Sequence, residues 1–158
     1  AYEIYQCDWS SDVCSSDLAV ALRDEVGIKP ADYDEFEKIL VAIQTAWSAG
    51  DVAAMRRQVT PELLSYLSEQ MTAASSAGLI NHVEDVNFED GDLAEAWTEG
   101  DLQFATVAMR WTALDYTTRA DDGRLVEGRN DERVSATEVW TFVRAPGGRW
   151  LLSAIQQV

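Results

Sequence analysis

The apolar positions of this chain change period once. Between Asp32 and Gly78 they recur every three to four residues, and beyond Gly78 they alternate, so helices come first and strands follow. Tyr33, Phe36, Ile39, Leu40, Ile43 and Trp47 fall on one helical stripe, with Asp32 and Glu35 at capping-box spacing before it and Gly50 after it. Asp51 caps a shorter helix that runs to about Arg57, where Arg56 and Arg57 suit the negative end of the dipole. Thr60 and Pro61 open a third helix as N-cap and first residue, and Leu64, Leu67, Met71 and Ala74 line one face of it up to Gly78. Three helices are thus expected before any strand.

After Gly78, Val86 and Phe88 alternate up to a turn pair, Asp90-Gly91, and a second run, Leu93 to Glu99, alternates acidic with small residues around Trp97. Leu102 to Tyr116 places Ala105, Val107, Met109, Trp111 and Ala113 on one face, and its length predicts a bend or bulge. Asp121-Asp122-Gly123 is a turn, Arg124 to Val126 a short strand, and Gly128 to Glu132 a polar loop. The runs VSATEVWTFV and WLLSAIQQV, joined by Arg144 to Arg149, form a closing hairpin. Both faces of that hairpin are apolar, because Val139, Thr141 and Val143 alternate with Trp140 and Phe142. Strands of this kind need a cover, and the preceding helices supply it. The expected class is α+β, with N-terminal helices packed on a curved, mainly antiparallel sheet.

Residues 1 to 18 follow neither period. They hold both cysteines, Cys7 and Cys14, at a spacing that makes no CxxC half-site. Their near-repeat of DWSSD and VCSSD resembles translated linker sequence known to contaminate metagenomic assemblies. Residues 19 to 31, broken by Gly27 and Pro30, read as a helical stub or linker. The expected organisation is a non-native or disordered segment and linker over 1–31 and one domain over 32–158, a length suited to a single core. A foreign start leaves the natural N-terminus and any anchor outside view.

Charge narrows the function classes. Asp and Glu number 28 against 12 Lys and Arg, a formal net charge of −16, which opposes binding to nucleic acid or anionic headgroups. No Lys or Arg lies between Arg57 and Arg110, while ten acids do: Glu62, Glu69, Glu84, Asp85, Glu89, Asp90, Asp92, Glu95, Glu99 and Asp101. The middle of the chain is therefore an acidic surface, suited to solvation or to a basic partner. No run of apolar residues is long enough to span a membrane, and the chain itself reads as soluble.

Five blocks, FEKILVAIQTAWSAGDVAAMRRQVTPELLSYL, GLINHVEDVNF, LAEAWTEGD, ATVAMRWTALDY and ATEVWTFVRAPGGRWLLSAIQQ, carry a resemblance that runs from about Asp32 to Val158. In order and spacing they resemble the C-terminal domain of subunit 44 of the mitochondrial inner-membrane protein translocase and its bacterial relatives. The resemblance implies a cone of the nuclear transport factor 2-like, or cystatin-like, type, with helices closing one side of a curved sheet around an apolar hollow. It also implies a non-enzymatic binding or tethering module, inner-membrane associated in the full-length protein. A protein partner or a lipid tail would be engaged through the hollow or the acidic surface. Trp47, Tyr66, Trp97, Met109, Trp111 and Trp140 are the candidates for lining that hollow.

The alternative is a small-molecule isomerase or dehydratase working in the cone, which would require a desolvated acid beside Tyr or His. His82, Asp85, Asp115 and Tyr116 are its candidates, and each also has a plain reading as a structural or solvated residue. A ribosome-bound role fits poorly without a basic patch. Counting Asp85 as the first position of a calcium loop puts Asp90 where glycine belongs and Ala96 where glutamate belongs, so no calcium site is expected. No phosphate loop, GxSxG elbow or HExxH motif is present, and no cofactor or metal is expected.

Overall fold

The computed structural model describes residues 22–158. The linker-like run and both cysteines lie outside the described residues. The elements are β1 (Arg23–Asp24), α1 (Pro30–Ala49), α2 (Val52–Arg56), α3 (Pro61–Ser76), β2 (Leu79–Glu99), β3 (Leu102–Arg119), β4 (Leu125–Arg144) and β5 (Leu151–Gln157). The five strands form one sheet in sequence order, antiparallel except for the β1–β2 pair. Where a helical stub or linker was expected, residues 23 and 24 pair with Glu95 and Ala96 instead. The Asp24 carboxylate then gathers the backbone N–H groups of Val26, Gly27 and Ile28 into a tight turn, a hydrogen-bond set that competes with helix at this point.

Helix α1 starts three residues earlier than the Asp32–Glu35 spacing suggests. Lys29 is the N-cap, Pro30 takes the first helical position, and Asp32 accepts the Lys29 N–H at 2.8 Å. Glu35 instead receives the Trp150 backbone N–H at 3.3 Å. The helix buries Phe36, Ile39, Leu40, Ile43 and Ala46 against the sheet and ends at Gly50 with φ 65°. Each large apolar side chain buried in this way contributes about 1.5–3 kcal/mol. Asp51 caps α2 by accepting from Ala54 N–H, and Thr60 caps α3 by accepting from Leu63 N–H. Leu63 and Leu67 are the buried face of α3, with Leu64 and Met71 packed at its side.

The long strands differ from the pattern of short ones. Asp90-Gly91 does not turn the chain, because β2 continues through it with register shifts at Glu84/Asn87, Phe88/Asp90 and Leu93/Glu95. A Cβ on Gly91 would meet the Phe88 ring at 3.0 Å, so the glycine makes room for that side chain. The polar stretch Gly128 to Glu132 is likewise absorbed into β4. Gly128 and Arg133 pair with Tyr116 and Leu114, so the four residues between them face a single partner residue. Gly128 has φ 73°, and a Cβ there would lie 2.5 Å from the Asp115 carbonyl oxygen. Gly128→Ala is expected to cost about 2 kcal/mol, read as a lower urea midpoint; an unchanged midpoint would mean that the bulge relaxes freely.

The described helices all pack on one face of the sheet. Ala105, Val107, Met109, Trp111 and Ala113 of β3, Trp140 and Phe142 of β4 and Leu152 of β5 meet α1, α2 and α3 in one core. Asp32 pins the helix layer to the closing hairpin by accepting from the Trp150 indole at 2.9 Å and from Arg144 at 2.9 Å, and Arg144 lies 4.3 Å over the Trp150 ring. Burial acts to raise the Asp32 pKa, but Trp150, the Lys29 N–H and Arg144 outweigh it and hold the carboxyl below its ordinary value. A depressed carboxyl pKa gives stability that is complete above the ordinary value and fades as pH falls through the folded one. Asp32→Asn is therefore expected to lose about 1–2 kcal/mol at pH 7. Its urea midpoint should converge with that of the parent chain as pH drops below about 4. Parallel curves down to acid would contradict that linkage.

Candidate functional site

The six aromatic and Met candidates do not share one cavity. Met109, Trp111 and Trp140 are buried on the helix-covered face of the sheet. Trp47, near the end of α1, is half-buried at the edge of the same core, and its indole N–H donates to Asn81 Oδ1 at 2.9 Å. Trp97 lies on the opposite face: its neighbour Ala96 is in the core, and the strand alternates. There it stacks on Phe104 with ring centroids 5.2 Å apart. Tyr66 is 57 % exposed on the solvent side of α3.

The space between helices and sheet is filled by large side chains. Phe36, Leu40, Met55, Met109, Trp140, Phe142, Trp150 and Leu152 are each less than 2 % exposed. Phe36 stacks on Phe142 at 4.1 Å and meets the Trp150 ring edgewise at 5.2 Å. Concavities among the described residues lie elsewhere. One is small, on the uncovered sheet face, bordered by Asp90, Asp92, Ala108, Arg110 and Thr137; another is an open trough along the polar side of α1 at Asp34, Glu37, Lys38 and Val41.

Polar groups at the core margin form two clusters on opposite faces of the sheet. On the covered face, Asn81 receives Trp47 and donates to Asp115 Oδ1 at 2.9 Å and to Thr117 Oγ1 at 3.2 Å, while Ser48 bonds the Val83 backbone. On the other face, His82 stacks on Tyr116 at 4.7 Å and bonds Thr118 Oγ1 at 2.8 Å, and the Tyr116 hydroxyl donates to Glu84 at 3.0 Å. Asp115 therefore faces the helices, and His82 and Tyr116 face away from them. Asp85 turns outward, 76 % exposed, with its backbone at φ 51° in the first β2 bulge. Arg133 reaches it across β3, bonding the Asp85 carboxylate and carbonyl and the Thr112 carbonyl.

The acid that does lie in the core is Glu138. It is 9 % exposed, opposite Met109, and its Oε2 accepts from the Trp140 indole at 2.9 Å and the Trp111 indole at 3.3 Å. Gln157 donates to Oε1 at 3.2 Å. These three donors spread the carboxylate charge over the core's own polar hydrogens and tie β5 to β4. Period-two reading of Ala136, Glu138, Trp140 and Phe142 carried the signal, since it places a charge on the face of two buried aromatics.

The acidic residues of β2 form an exposed charged feature. Glu84, Asp85, Glu89, Asp90, Asp92 and Glu99, with Asp101 in the following turn, are all exposed. Asp85 pairs with Arg133, and Glu95 with Arg23, but Glu89, Asp90, Asp92, Glu99 and Asp101 make no ion pair among the described residues, although Arg110 lies across the strand from Asp90. No group of three or more His, Cys, Asp or Glu side chains suited to a metal occurs among the described residues. No described helix is long and apolar enough to cross a membrane.

Comparison with known proteins bears on this geometry. The family model of the Tim44-like domain matches residues 15–157. No curated protein sequence matches. Among solved structures, the intermembrane space region of chloroplast protein ARC6 aligns with 9% identity over 79% of this chain and 96% of its own, at a TM-score of 0.49. A putative dehydratase of the nuclear transport factor 2-like family from Streptomyces avermitilis aligns with 18% identity over 82% of this chain and 99% of its own, at a TM-score of 0.40.

Proposed function

The chain belongs to the Tim44-like domain family, and from that premise we propose that it is a non-enzymatic binding or tethering module of a membrane-associated protein, holding a basic segment of a protein partner on the acidic face of β2. The observation that carries this reading is the row of exposed acids on β2 and the turn after it, five of them making no ion pair among the described residues. Unpaired like charges in a row repel one another, and a cationic partner relieves that repulsion while speeding encounter. A lipid tail in the core finds less support, because the space between helices and sheet is occupied by close-packed aromatics. The small-molecule enzyme has one feature in its favour, the buried Glu138, but that carboxylate is engaged by Trp111, Trp140 and Gln157.

The test is photo-crosslinking of the full-length protein in a cell lysate, with the crosslinker at Glu89. The expected product is a protein joined through a Lys- or Arg-rich segment. Its yield should fall sharply in about 0.5 M salt, where screening shortens to a few ångströms, and vanish in Asp90→Lys/Asp92→Lys. Capture that ignores both salt and charge reversal would overturn the acidic-face reading. A lipid found by native mass spectrometry of the same protein would point to the core instead.

A further inference from the structure

We draw no further inference here: the strongest candidate, the apolar row of Trp97, Phe104, Val143 and Leu151 across the sheet face opposite the helices, carries nothing because nothing in the structure shows what covers it.

Discussion

Phe36→Ala unfolds at a markedly lower urea concentration than the parent chain, with a loss of about 4 kcal/mol. Phe36 has no exposed surface and is the point where α1 meets β4 through Phe142 and the residue before β5, Trp150. Removing the ring deletes its transfer energy and leaves a void that neighbours as rigid as Phe142 and Trp150 fill poorly. Phe36→Leu keeps most of the volume and should cost less than half as much. Equilibrium unfolding at several urea concentrations measures both. A loss below about 1 kcal/mol for Phe36→Ala would mean that the interior is loosely filled, and the case for a ligand-binding hollow would revive.

Glu138→Ala is the second large effect, at about 3 kcal/mol. The substitution strips the acceptor from the Trp111 and Trp140 indoles and from Gln157, and the two indoles belong to buried side chains. Buried donors without acceptors retain their full desolvation cost, which exceeds what the hydrogen bonds themselves contributed. Glu138→Gln should fall between the two, because its amide oxygen still accepts while its NH₂ opposes a donor. Near-ultraviolet circular dichroism of the tryptophans, followed through urea unfolding, reports both the local and the global change. If Glu138→Ala folds as well as the parent chain yet abolishes a turnover or binding activity, the carboxylate serves a ligand rather than the core.

Much of the fold was legible because its helices are punctuated by strong local signals. Gly50, Asp51, Thr60 and Pro61 each impose a backbone conformation or fill an orphan hydrogen bond regardless of context. The start of α1 was displaced because Asp32 caps equally well as N-cap or as third residue, and Pro30 decides between them. The strands were harder. Asp90-Gly91 is a turn pair by composition, yet a bulge needs the same small, permissive residue, and only the pairing of β2 with β3 on both sides of it chooses. Faces were legible within a strand but not between strands. Met109 and Trp111 fell together, whereas the face of Trp97 follows only from the burial of Ala96 opposite Ala105 in the core. Asp115, one of the enzyme candidates, shares the helix-covered face and accepts from Asn81, which in turn accepts from the Trp47 indole. Glu138 shares the inner face of β4 with Trp140 and Phe142, but its donors come from β3 and β5 as well as β4, so only the strand pairing shows what satisfies the charge.

The three register shifts of β2 and the outward kink at Asp85, held from across the sheet by Arg133, bear on how this molecule meets other chains. A straight strand with a free edge is a template: its evenly spaced N–H and C=O groups invite an extended segment to add itself as one more strand. Each shift in β2 breaks that spacing, and the acids beside the breaks repel a second copy of the same edge. On the acidic-face reading proposed above, recognition along β2 would then proceed through side-chain charge, whose strength salt and sequence can tune, and not through backbone addition.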